Sequence, residues 1–231
     1  MVRFALVFAA VSLCAPAAYA GACGVSIQLW SATPELARDG LVVLDAPVSG
    51  GDFIRVASAM KFVTPAETIA AHVVEVIGDR KDNHVQIVLA PKRLLPARAT
   101  VHVETGDRVL DKLLANATLS TGDRSDGRAV QWMQNPKVLG RRQEPSNKGD
   151  TIDVYRVRTK LDAPAFIVAT FSNAGDTQVV LYRGDDEVGI GITGCGSMWH
   201  PRDGVSTVAL SALGPDGNEV NAQGAPLRLR Y

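Results

Sequence analysis

Cys23 and Cys195 stand in opposite halves of the chain, and an even pair of thiols outside the cytoplasm is expected to be bridged. Such a bridge would close a loop across most of the chain and pin the amino-terminal segment to the second half. The glycine run Gly189-Ile190-Gly191-Ile192-Thr193-Gly194 spells G-x-G-x-x-G, which admits a pyrophosphate only where a strand precedes it and a helix follows. No helix can begin cleanly across Cys195-Gly196-Ser197-Met198-Trp199-His200-Pro201, so the run reads as a glycine-rich strand beside a close backbone. His72, His84, His102 and His200 fall on separate strands or turns, without the paired spacing of a zinc or copper site. Asp185-Asp186-Glu187 and Asp216-Gly217-Asn218-Glu219 carry enough oxygen for calcium. Neither fits the EF-hand loop, and both read as turns. The expectation is therefore no metal and no cofactor.

A nucleophile is also missing. Cys195-Gly196-Ser197-Met198-Trp199 resembles the Cys-Gly-Ser-Cys-Trp segment of papain-like proteases. Met198 occupies the nucleophile's position, however, and a thioether cannot be deprotonated to attack a carbonyl. The cysteine that is present matches the family's disulfide-forming one. Ser197 lacks a G-x-S-x-G frame. What remains at this segment is Trp199 with His200, able to stack on a sugar or anchor a partner, or else to cover the disulfide.

The elements that must position these residues read as strands. Runs rich in Val, Ile, Leu and Thr cover residues 25–30, 41–44, 57–63, 69–77, 84–89 and 100–104. Several alternate by twos, as half-buried strands do. Residues 107–117 predict the one helix of the first half, with Asp107 as N-cap and Val109, Leu110, Leu113 and Leu114 at helical spacing. The competing reading makes residues 113–119 a last strand. Residues 122–128, small, polar and glycine-bearing, form the expected linker. Strands then resume at 129–133, 151–159, 166–171, 178–182, 187–192, 206–213 and 226–231. Between the first two of these, residues 135–150 read as a long polar loop carrying Arg141 and Arg142, a candidate for partner contact.

The start of the chain predicts a leader. Arg3 supplies a basic start, residues 4–13 an apolar run, and Ala18-Tyr19-Ala20 a small-x-small cleavage site. Residues 1–20 are thus expected to be removed. Leu13 before Cys14 is not the small residue that lipoprotein acylation requires. No later stretch is long and apolar enough to span a bilayer, so the expected location is the periplasm or the extracellular space. With 24 basic and 24 acidic residues, the chain offers no overall basic balance for nucleic acid or an anionic membrane.

Two segments carry a family resemblance. Residues 91–101, Pro-Lys-Arg-Leu-Leu-Pro-Ala-Arg-Ala-Thr-Val, resemble the "P…L.P.T.Y" corner of bacterial immunoglobulin-like domains, with Val101 where the family has an aromatic. Residues 207–218, Thr-Val-Ala-Leu-Ser-Ala-Leu-Gly-Pro-Asp-Gly-Asn, resemble the closing strand of extracellular immunoglobulin-like and fibronectin III-like modules. The resemblance implies adhesion, scaffolding or partner binding. The expected fold is all-β, with one immunoglobulin-like β-sandwich over residues 21–121 and a second over 129–231. The expected function is a non-enzymatic binding or structural module for an envelope or extracellular protein. The alternatives are a carbohydrate-binding module using Trp199, and an exported hydrolase whose scattered site leaves no local motif.

Overall fold

The computed structural model describes residues 27–46, 56, 58–77, 85–125, 129–145, 151–173, 176–184, 186–191 and 205–230. Cys23, Cys195, Trp199, His200 and His84 lie outside the described residues, as do the expected leader and residues 126–128 of the expected linker. Every described sheet is built from short alternating segments, and the fold is all-β apart from short helical pieces.

The first half contributes β1 (Gln28–Ser31), β2 (Glu35–Leu36), β3 (Val42–Ala46), β4 (Lys61–Val63), β5 (Thr68–Ile77), β6 (Val85–Pro91), β7 (Thr100–Glu104), helix α1 (Arg108–Leu114) and β8 (Leu119–Thr121). These strands form one sheet in the order β1-β3-β6-β5-β4-β7-β8-β2. Only a short bend at residues 32–34 separates β1 from β2, yet these two strands form the sheet's opposite ends. The sheet therefore curls around a core that includes Leu36, Leu44, Phe62, Ile69, Ile87 and Val101. All its pairings are antiparallel except β2 with β8.

The helix starts where its N-cap predicts. The Asp107 carboxylate accepts from the amides of Val109 at 2.9 Å and Leu110 at 3.2 Å, satisfying donors that the first turn leaves unpaired. Leu110 and Leu114 are buried, whereas Val109 and Leu113 face solvent. The competing last strand is shorter than residues 113–119 and begins only at Leu119. Residues 56, 58 and 59 are helical rather than extended. Val56 and Met60, four apart, both enter the core, and that spacing suits a helical face.

The second half contributes β9 (Lys137–Pro145), β10 (Thr151–Arg158), β11 (Ala165–Asn173), β12 (Asp176–Gly184), β13 (Glu187–Gly191), β14 (Val205–Leu213), β15 (Glu219–Asn221) and β16 (Leu227–Arg230). One sheet runs β13-β10-β9; the other runs β12-β11-β14, with both β15 and β16 paired to β14. Tyr155, Val157, Ile190, Phe171 and Leu229 fill the core of this half. The Tyr155 hydroxyl ties the two sheets together, accepting from the Arg230 amide at 3.0 Å and donating to the Arg230 carbonyl.

Two expectations are corrected here. Of the expected loop 135–150, Lys137–Pro145 is instead strand β9, paired with β10 along its length, and residues 146–150 lie outside the described residues. Its polar sequence suits an exposed edge strand, which has little apolar surface to bury. Residues 129–133 are not a strand; Trp132 makes a single bridge to Leu161, and its indole N–H donates to the Val220 carbonyl at 2.9 Å.

A third apolar cluster lies between the halves. Leu41, Val43, Val88 and Ala90 from the outer face of the first sheet meet Phe166, Val168, Leu181 and Leu213 of the second half. Trp30 meets Phe166 edge-on, with ring centroids 5.2 Å apart. This explains why β6 is buried from Val85 through Ala90 without interruption, a pattern that antiparallel strands show only when both faces are covered. Gln86 is the polar exception within this run. Its amide donates to Asp45 at 3.1 Å and to the Leu181 carbonyl at 3.4 Å, and accepts from the Leu181 amide at 2.8 Å. One side chain thus satisfies both backbone groups of a residue on edge strand β12. Among the described residues no helix is long and apolar enough to cross a membrane.

Candidate functional site: the basic face of the three-stranded sheet

Strand alternation divides the residues of β9 and β10 between two faces. Arg141 is registered opposite Tyr155, a core residue, and so belongs to the inner face. It pairs with Asp153 on β10, and its guanidinium lies 5.9 Å from the centroid of the Tyr155 ring. The hydrogen bond from Arg141 holds the Asp153 carboxyl below its ordinary range.

Arg142 points the other way. It is opposite Val154, while Arg156 is opposite Gly140 and Arg158 opposite Lys137. A register shift between Arg156 and Val157 accommodates Leu139 and preserves this facing. Lys137, Arg142, Arg156 and Arg158 are all exposed, while Val157 between the last two is fully buried. Four cations therefore share the outer face of one small sheet.

Glu187 on β13, opposite Arg158, is a carboxylate on the same face. Arg156 engages it with both guanidinium arms, one of them at 2.8 Å. That hydrogen bond is the main reason the Glu187 carboxyl lies below its ordinary range, and the fields of Arg142 and Arg158 add to it. Glycines flank Arg156 on both neighbouring strands, Gly140 on β9 and Gly189 on β13. A Cβ at Gly140 would meet nothing within 4 Å. A Cβ at Gly189 would meet the Val154 side chain at 3.1 Å, so the face is open on the β9 side of Arg156.

Such an arrangement can bind an anion. Guanidinium and ammonium groups supply hydrogen-bond donors and no acceptor, and the Glu187 carboxylate is held by Arg156. Of the residues the sequence marks for partner contact, Arg142 belongs to this face and Arg141 is turned to the inner side; Trp199 and His200 lie outside the described residues. Lys137, Arg156 and Arg158 carry no motif. Their one sequence signal is the alternation Arg156-Val157-Arg158 within a predicted strand, which gains meaning only when β9 brings Lys137 and Arg142 alongside.

The other sequence candidates resolve into structure. Gly189 and Gly191 of the glycine run lie in β13, and residues 192–194 lie outside the described residues. Asp216 and Asn218 form the turn between β14 and β15: the Asn218 amide donates to Asp216 at 3.1 Å, and Gly217 adopts a φ of 76°. His72 is exposed on β5 and His102 half-buried on β7. Among the described residues, no three His, Cys, Asp or Glu are placed to hold a metal ion. A pocket of about 210 Å³ beside β14, lined by residues that include Pro136, Asn221, Gln223 and Pro226, has no aromatic side chain in its walls.

No family model matches the chain, and no curated protein matches it significantly. Solved structures with some likeness include pullulanase type I from Bacillus subtilis complexed with maltose, at 10% identity and a TM-score of 0.27, covering 85% of this chain and 24% of that one. A pullulanase from Anoxybacillus sp. LM18-11 complexed with maltotriose shows 9% identity and a TM-score of 0.28, covering 88% of this chain and 25% of that one. The chain spans about a quarter of the length of these enzymes, and similarity at this level carries no argument about fold or activity.

Proposed function

We propose that the protein is an exported, non-enzymatic binding module of two immunoglobulin-like β-sandwich units that engages an anionic envelope or extracellular partner. In this reading a leader over residues 1–20 is removed, Cys23 and Cys195 form a bridge, and residues 137–191 supply the contact surface. The observation that supports it is the gathering of Lys137, Arg142, Arg156 and Arg158 on one exposed sheet face in a chain whose total charge is balanced. Uneven distribution of charge in a neutral protein creates a local field that attracts and orients a partner of opposite sign.

Retention on immobilised poly-L-glutamate tests this directly. The wild-type protein is expected to be held at low salt and released as the salt rises, because exposed ion pairs are screened. The triple variant Lys137→Ser, Arg142→Ser, Arg158→Ser is expected to pass through, with an unchanged circular dichroism spectrum. Elution of both proteins at the same salt concentration would remove the basic face from the reading.

A further inference from the structure

Among the described residues the same face ends at a strand edge with no partner strand, and this points to the form of the partner. Strand β9 runs for nine residues, Lys137–Pro145. Among the described residues it has β10 on one side and no strand on the other. An exposed edge of this length is a template for one more strand. It differs from the edge at β12, where the Gln86 side chain occupies both backbone groups of Leu181.

We propose, building on the basic-face reading, that the partner is an extended acidic peptide segment that adds to β9 as a fourth strand. Main-chain hydrogen bonds to the edge would supply general affinity, and alternate side chains the specificity. In an added strand, carboxylates two residues apart stand roughly 7 Å from one another on one face, about 5 Å from β9. They would come down beside Lys137 and Arg142, the outward cations of β9 itself. Gly140 lies between those two on the same strand and directly opposite Arg156. Its missing side chain leaves the surface between Arg156 and the edge open.

Charge also selects against one competitor. A second copy of β9 paired parallel and in register would bring Lys137, Arg141 and Arg142 against their own counterparts, and like charges across a strand pair are destabilising. The edge is thus protected against that in-register pairing while remaining attractive to an acidic strand. A flexible polyanion without a peptide backbone would satisfy the cations but leave the edge groups of β9 to water.

The test uses a fluorescein-labelled decapeptide of alternating Glu and Thr, the same peptide N-methylated at every residue, and labelled poly-L-glutamate, each titrated into the full-length protein by anisotropy. Strand addition predicts binding of the unmodified decapeptide, weakened about tenfold both by N-methylation and by the double variant Lys137→Ser, Arg142→Ser. It also predicts slowed amide exchange across Lys137–Pro145 of the wild-type protein when the unmodified peptide is present. Equal binding of the methylated and unmodified peptides, with no added protection in β9, would overturn strand addition and leave the basic-face reading standing. Failure of all three probes to bind would overturn both.

Discussion

Glu75 shows how one residue reports on its surroundings. It lies on β5, registered opposite Val88 of the cluster between the halves. Burial raises the pKa of its carboxyl, and the nearby charge of Glu219 on β15 raises it further. Because the folded-state pKa lies above the unfolded one, Glu75 stabilises the fold fully below the ordinary glutamate range, and that contribution is lost as pH rises through the raised value. Above that raised value the ionised carboxylate works against the fold. Glu75→Gln is therefore expected to raise the urea midpoint at pH 7 and to reduce the stability gain that the wild type shows on acidification. Midpoints measured at pH 4, 5.5 and 7 check this; a variant with an unaltered pH profile would contradict it.

At the scale of elements, the corner before β7 is tied by a residue distant from it in sequence. The immunoglobulin-like resemblance places an aromatic at position 101, but Val101 is fully buried in the first core and has no hydroxyl to tie the turn. Thr121 on β8 does this instead. Its hydroxyl donates to the Pro96 carbonyl at 2.6 Å and accepts from the Ala99 amide at 2.8 Å. The turn also holds Arg98 at a φ of 53°, where it engages Asp123 in a two-armed, exposed ion pair. Such an exposed pair contributes little, whereas the nearly buried threonine satisfies two backbone groups. Thr121→Val is expected to destabilise the protein by about 1–3 kcal/mol, and Asp123→Ala to change stability by less than about 1 kcal/mol. Paired urea denaturation curves separate the two; equal losses would put the weight of the corner elsewhere. The corner's sequence is readable as a corner, but its hydroxyl donor lies some twenty positions on, beyond the reach of any local motif.

Taken as a whole molecule, the two halves are joined by more than a chain connection. Phe166, fully covered, contacts Trp30 and the outer face of β3 and β6. Arg183 adds a hydrogen bond to the Ala32 carbonyl at 3.1 Å. The wild type is expected to unfold in one cooperative transition. Phe166→Ala, removing a large buried ring, is expected to cost about 3–5 kcal/mol and to split that transition, since each half retains a core of its own. Fluorescence and far-UV circular dichroism followed together in urea would show the split; superimposable curves for the variant would mean that the halves do not fold as separable units.

Sequence by itself determined the strands with apolar alternation, the helix cap at Asp107 and the turn at Asp216-Gly217-Asn218, because each is set by a few neighbouring residues acting locally. By the alternation Val85-Gln86-Ile87 the sequence reads as a half-buried strand there, whereas β6 is buried from Val85 through Ala90. Only the tertiary structure decided what covers its second face, that a polar stretch becomes the edge strand β9, and that Arg141 and Arg142 part company. The reason is that a strand's facing depends on its register with a partner, and a shift of one residue reverses every side chain. The basic face exists only once β10 sets that register, which places Arg142 beside Arg156 and Arg158 and turns Arg141 inward to Asp153.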